Sequence, residues 1–398
     1  MDMENAKTSL LDNGTLWFGA GVSIAEILAG TLLAPLGMTR AIEAILLGHL
    51  LGGILFYLVG LISARTGRTA MEAVKMAFGH KGGLFFAALN VIQLIGWTAI
   101  MIYDGALSSE ALLGGSHPLA CFLIGGLIVL WIALGAGGLS KVNRIAVTAL
   151  FVLTLVLSAI VFRGGAHQQA AAETLSFGAA LEIAISMPLS WLPVVGDYTC
   201  HAADGKKATL VSTISYNLVS CWMFVIGMGA ALFAGSSEVG TIMLKAGLGA
   251  AGLFIIVFST VTTTFLDALS AGISLTAIKG IGKEKQFAIL TAVIGTAAAV
   301  CYPMDNITEF LYFIGSVFAP MAGVLIGCVL IGKRDFYQEA CSWRNILVWT
   351  AGFIGYRYLM TLDIPVGCTL PDVVLVMLAA ALVQKRNGRG QQLEKING

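Results

Sequence analysis

Charge is scarce in this sequence. Only 11% of its 398 residues are Asp, Glu, Lys or Arg, and 58% are hydrophobic; ordinary soluble domains carry about 25% charged residues. So little polar surface cannot cover a soluble core, and a mean hydropathy of +0.88 assigns the chain to a bilayer. An excess of one sign is also missing. The net charge of +1 predicts no nucleic-acid partner. The seven cysteines show no metal-ligand or CxxC spacing and read as small apolar filler. No HExxH, GxSxG, P-loop or metal cluster occurs, so neither an enzyme nor a cofactor is expected. The opening MDMENAKTSLLDNG has no basic stretch followed by a cleavage site, so no removable leader is expected.

What is present is a series of long apolar runs. Twelve reach or approach the roughly 20 residues that cross a hydrocarbon layer: about 15–36, 43–63, 83–107, 118–138, 145–163, 177–198, 209–234, 247–278, 286–303, 307–331, 346–362 and 368–384. With the N-terminus inside, every one of the 23 basic residues except Arg40, Arg163, Lys245 and Arg357 falls in an inside segment. That asymmetry predicts a polytopic all-α protein of the plasma (bacterial inner) membrane with both termini cytoplasmic. The loop SARTGRTAMEAVKMAFGHKGG has helical apolar spacing at Ala70, Ala73, Val74, Ala77 and Phe78. It reads either as a helix lying on the membrane surface or as an ordinary loop helix. Residues 1–14 and 385–398 are expected to be polar cytoplasmic ends.

Within the sixth run stands PLSWLPVVGDYT, residues 188–199. Pro188 and Pro193 each remove a backbone donor, and Gly196 loosens the chain further. Irregular backbone at membrane depth is tolerated where protein covers it or where it lines a wet cavity. The stretch therefore reads as a discontinuous helix at a binding site, or as a proline kink that serves packing alone. The first run carries Gly19, Gly21 and Gly30 around Glu26. A mid-membrane carboxyl must face the interior, pair, or be protonated. Two interrupted helices at matching places in two halves point to a midplane site in an inverted repeat, helices 1–5 (residues 15–163) against 6–10 (177–331).

Other intramembrane polar residues narrow that site. In the third run Gln93, Trp97 and Asp104 share a helix face. In the eighth, Ser259, Thr262 and Thr263 share another, followed by Thr264 and Asp267. Their oxygens suit a Na⁺ cage facing freed carbonyls; the alternative is that the threonines bond back to their own helix. Asp104 and Asp197 are candidates for gating or proton transfer. Asn90 and Asn217 are weaker candidates, Glu182 is expected at the outer mouth, and His49 and His201 are expected near the interface.

LWFGAGVSIAEILAGTLLAPLG and PLSWLPVVGDYT resemble the nucleobase–cation symporter family, the permeases for cytosine, purines, uracil, thiamine precursors and allantoin. The resemblance covers most of the chain and is nearest to the CytX-type branch, assigned to hydroxymethylpyrimidine. It implies a five-plus-five inverted-repeat (LeuT-like) fold with twelve transmembrane helices, helices 1 and 6 discontinuous and two helices (residues 346–384) added. It also implies a cation held by the carbonyls of Gly19, Val22 and Ser259 and the hydroxyls of Thr262 and Thr263. A flat heterocycle would stack on Trp97. Pro188 stands where the family's second aromatic is usual, which leaves Trp191 as its replacement. Ser23, Glu26, Met187, Thr264 and Asp267 complete the expected substrate set. The asparagines common on the family's helix 8 are missing, a departure that suits an aminopyrimidine read by a carboxyl; Glu26 is the expected reader.

These features imply a symporter that imports a small planar pyrimidine with Na⁺ or H⁺. Cytosine or another nucleobase is the alternative cargo, and an amino acid a more distant one. A channel or sensor of the same fold and an intramembrane enzyme are the rival classes. Nothing in the sequence indicates an oligomeric state.

Overall fold

The computed structural model describes residues 7–163, 175–385 and 391–392, so the expected polar ends lie largely outside the described residues. Helices dominate, and several begin at a side-chain cap or end at a left-handed glycine. Ser9 caps α1 (Leu10–Gly21) through a reciprocal bond with Asp12. Ser23 caps α2 (Ile24–Thr31). Next come α3 (Met38–Thr66) and α4 (Ala70–Leu113). The latter is kinked at Gly79, whose φ of 76° favours glycine. A second kink at Gly135 divides α5 (His117–Arg163). Then follow α6 (Phe177–Ser190), α7 (Leu192–Thr199), α8 (Gly205–Ala234) and the short α9 (Val239–Lys245). The chain continues through α10 (Gly249–Lys279), α11 (Glu284–Cys301), α12 (Ile307–Ile326), α13 (Trp343–Leu359) and α14 (Thr369–Lys385).

A helix stands at each of the twelve apolar runs. Among the described residues, eight spans are long and apolar enough to cross a membrane by themselves, or nine with the bent pair α1–α2. Val147–Arg163 and Thr369–Gln384 are apolar but shorter, and α13 has only 17 residues. The protein is a multi-pass membrane protein.

Two groups of helices form the body. The first packs α1, α2, α3, α6, α7 and α8 together; the second packs α4, α5, α10 and α11. Close approach within the first group depends on glycine: a Cβ at Gly30 would overlap the Phe224 backbone, and one at Gly227 the Ile27 carbonyl. With α2 and α8 in backbone contact, Glu26 is pressed against α8.

Segments expected on one side of the membrane contact one another. Thr8 forms a bridge with Ala202, Arg68 pairs with Asp335 at 3.0 Å, and Arg334–Asp335 pairs with Gln391–Gln392. At the opposite end Glu182 accepts from the Thr369 backbone N–H at 2.7 Å and the Tyr356 hydroxyl at 2.9 Å.

The loop helix resolves in favour of the second reading. Ala70–Phe78 is buried against protein on most sides, so it does not lie on a membrane surface. Asp197 Oδ1 accepts from the Ala70 N–H at 2.9 Å. On both sides of the kink, residues 336–342 pair with the α4 backbone through Phe336 N–H to Met76 O, His80 N–H to Glu339 O and Ser342 N–H to Phe78 O.

Candidate functional site

The α1–α2 break turns the chain by 46°. The Ser23 N–H, which a continuous helix would direct to Gly19 O, bonds to Gly21 O at 3.0 Å instead. The Ile24 N–H, due to reach Ala20 O, is taken by Ser259 Oγ of α10 at 2.9 Å. The same hydroxyl donates to Val22 O at 3.2 Å. The carbonyls at Gly19 and Val22 are thus released from the helical ladder, and Val22 O faces α10.

The α6–α7 interruption is milder. The helix passes Trp191 with φ −89° and ψ −6°, and Phe177–Thr199 still reads as one 23-residue span. Pro188 and Pro193 deprive carbonyls one turn back of their donors. Side chains from α4 reach carbonyls in this stretch: Gln93 Nε2 donates to Ser190 O at 2.9 Å, and Asn90 Nδ2 to Pro193 O at 3.2 Å.

Between the two interruptions, α4 and α10 complete a small cavity with a free volume of about 20 Å³, room for about one water. Ala20, Ser23, Ala25 and Glu26 line one side, and Met187, Ser190 and Trp191 another. Trp97 and Met101 come from α4, and Thr263 and Asp267 from α10. The lining therefore has two carboxyls, two indoles and no Lys or Arg. Trp191 is braced edge-on by Trp17 at 5.4 Å and Trp97 by Phe310 at 5.3 Å; such pairs contribute about 0.5–1.5 kcal/mol each.

The two carboxyls differ in their partners. Glu26 Oε1 accepts from the Tyr216 hydroxyl at 2.7 Å, and Oε2 lies 2.7 Å from Ser220 Oγ. Ser220 Oγ is in turn 2.6 Å from His49 Nε2. Asp267 forms no hydrogen bond among the described residues. Trp97 Nε1 and Thr263 Oγ1 are likewise buried without a partner. An unpartnered polar atom in a cavity wall is a place where a guest's polar atom gains most.

The structure brings Ser23, Glu26, Trp97, Met187, Trp191 and Asp267 together in one wall set. Thr264 is not in it; it is fully buried away from the cavity. Of the expected cation ligands, Thr262 bonds back to Phe258 O at 2.8 Å and Ser259 O at 3.2 Å, because a threonine hydroxyl finds its own helix's carbonyl within reach. Thr263 keeps its hydroxyl free. Asp104 does not line the cavity, being seven residues and about 10 Å along α4 from Trp97. Asp197 is also outside it, as the acceptor at the start of Ala70–Phe78. Asn217 bonds back to Thr213 O. His49 is not interfacial: α3 begins at Met38, which carries His49 three turns in, where it is 2% exposed. Tyr216 and Ser220 escaped the sequence reading, although Ser212, Tyr216 and Ser220 form a hydroxyl stripe at four-residue spacing.

The profile of the family described as permease for cytosine/purines, uracil, thiamine, allantoin matches residues 2–353. The chain belongs to this family. The permease is 26% identical to the cytosine permease of Escherichia coli (strain K12) over 352 residues, 87% of this chain and 82% of that one. It is 24% identical to the purine-cytosine permease FCY2 of Saccharomyces cerevisiae over 253 residues, 59% of this chain and 46% of that one. Its fold matches Mhp1, a nucleobase-cation-symport-1 family transporter in a closed conformation with bromovinylhydantoin bound. The TM-score is 0.79 at 17% identity, covering 96% of this chain and 94% of that one. A Na⁺-coupled sialic acid symporter matches with a TM-score of 0.74 at 13% identity, covering 98% and 92%. The permease is therefore a LeuT-fold membrane transporter, and not an enzyme.

Proposed function

We propose that the permease imports a small planar aminopyrimidine, hydroxymethylpyrimidine, across the plasma (bacterial inner) membrane by cation symport with alternating access. Both termini face the cytoplasm in this reading, which the basic-residue asymmetry supports. The observation that carries the substrate class is Asp267: a carboxyl without a hydrogen-bond partner among the described residues, in a wall that also holds Trp97 and Trp191. An amino group beside a ring nitrogen offers a carboxyl two complementary contacts, and an indole offers a flat ring its face. Glu26 has both oxygens engaged already, so the role of reading the ring passes to Asp267.

The coupling cation is Na⁺, held by the carbonyls of Gly19, Val22 and Ser259 with Thr263 supplying a hydroxyl. These are neutral oxygens, matching a hard monovalent ion. Thr262 joins only if its hydroxyl leaves Phe258 O. Ion and substrate meet at the α1–α2 break, so each tightens the other by the same factor. A ring larger than one water must part the cavity walls, which ties binding to movement of the two helix groups.

Cytosine is the second reading, favoured by the cytosine permease among the relatives. Thermal stabilisation of the purified permease by hydroxymethylpyrimidine, cytosine, purines and thiamine fragments, with and without sodium, tests both. The expected result is a sodium-enhanced shift with an aminopyrimidine that Asp267→Asn weakens by about tenfold or more in affinity. A shift with none of them, or one unaltered in Asp267→Asn, defeats the assignment.

A further inference from the structure

The hydrogen bonds around Glu26 contain one more contact than their ordinary protons can fill. Four contacts run in series: Ile45 O to His49 Nδ1 at 2.9 Å, His49 Nε2 to Ser220 Oγ at 2.6 Å, Ser220 Oγ to Glu26 Oε2 at 2.7 Å, and Glu26 Oε1 to Tyr216 Oη at 2.7 Å. Each needs one proton. A carbonyl only accepts, so Nδ1 of His49 carries the ring's proton and Nε2 of the neutral ring is an acceptor. Neutral His49, Ser220 and Tyr216 supply three protons for four contacts. Without a fourth, two lone pairs face each other at 2.6 or 2.7 Å inside a fully buried network, an arrangement that costs the desolvation of an unpaired polar group.

We propose that Glu26, Ser220 and His49 form a proton-binding relay, with the fourth proton on Glu26, and that this proton is a second coupling ion beside the α1–α10 cation cage. In the loaded state Glu26 Oε2–H donates to Ser220 Oγ, Ser220 donates to His49 Nε2, and Tyr216 donates to Oε1. Every contact is filled, and the network carries no net charge at membrane depth. When the proton leaves, the Ser220 hydroxyl turns to the Glu26 carboxylate. His49 Nε2 then faces an oxygen lone pair, and the α3–α8 contact must open.

That opening reaches the substrate. His49 adjoins Gly48, which packs on Ala184 of α6, and one turn on Gly52 packs on Pro188; Met187 and Ser190 of the cavity wall lie beside these residues. The other titratable groups facing the relay are Tyr216 and Cys221 of α8 and, across the cavity, Asp267 of α10. From α7, Tyr198 reaches it only through Trp17. None is a cation that would hold Glu26 ionised.

The proposal rests on the symport reading, so its test has one arm that needs no substrate. Infrared difference spectra of the purified full-length permease at neutral pH, wild type minus Glu26→Gln, are expected to contain a protonated carboxyl C=O stretch that shifts in D₂O. A difference spectrum without that band overturns the relay. In proteoliposomes with equal sodium on both sides, an acid exterior is expected to drive accumulation of labelled hydroxymethylpyrimidine or cytosine. Normalised to each variant's own counterflow, this accumulation falls by about tenfold or more in His49→Leu and Ser220→Ala and is kept in Ser220→Thr, which retains the hydroxyl. Counterflow without acid-driven accumulation in the wild type, or wild-type accumulation in His49→Leu, overturns the proposal. Counterflow with neither probe, with the infrared band present, defeats the substrate reading and leaves the relay supported.

Discussion

At Val22 the chain turns by 46° and leaves the Val22 carbonyl facing the Ser259 hydroxyl of another helix, whereas at Trp191 it loosens by a single residue and α4 side chains donate to the carbonyls of Ser190 and Pro193. Both interruptions lie inside apolar runs and both border the same cavity. The difference is in what completes them. Gln93 and Asn90 complete the second from within the protein, so it can be permanent and rigid. The first is completed only in part, by one serine hydroxyl shared between Ile24 N–H and Val22 O. A break left open in this way has a use for an ion, and a closed one can serve as a fixed wall.

Four tests would sharpen or break that contrast. Gly227→Val drives a side chain into the Ile27 carbonyl beside the first break and is expected to abolish monodisperse protein on size exclusion. Gly126→Val, where a Cβ meets nothing within 4 Å, is the control expected to leave it intact. Thr263→Ala is expected to raise the sodium needed for half-maximal uptake by about tenfold, against less than about threefold for Thr262→Ala. Equal effects would mean that the back-bonded hydroxyl is as good a ligand as the free one. Gln93→Leu strands Ser190 O and is expected to cost about 1–3 kcal/mol, read by denaturation in detergent, without moving the sodium half-saturation. Smallest is Asp197→Ala, which removes an acceptor at a helix start and is expected to cost about 1 kcal/mol; Asp197→Asn retains the acceptor and is expected to lose less.

Much of this contrast was legible before any coordinates. Prolines and glycines inside apolar runs cannot be hidden in hydrocarbon, so Pro188, Pro193 and the Gly19–Gly30 stretch betray both interruptions. Trp97, Glu26 and Asp267 stand out because polar or amphipathic groups are rare at that depth. What stayed hidden depends on helix rotation and close approach. Whether Thr262 or Thr263 faces the cavity is a matter of one residue, or 100° of rotation. The engagement of Glu26 requires α8 to come within backbone contact of α2, which no single run reveals. His49 was misplaced because hydropathy put the start of α3 five residues late, at residue 43 and not Met38.

The inner arm of α4 carries one more implication. Its Ala70–Phe78 stretch is stitched by backbone bonds to the segment that follows α12, while its first N–H rests on Asp197, directly below the proline-rich turn. Asn345 of α13 adds a bond to Ala77 O and accepts one from Gln384 of α14, so the last two helices are not passengers appended to a finished machine. Shortening the chain ahead of them would unmoor a strut that supports the floor of the compartment, and the fault would surface about 265 residues upstream of the cut.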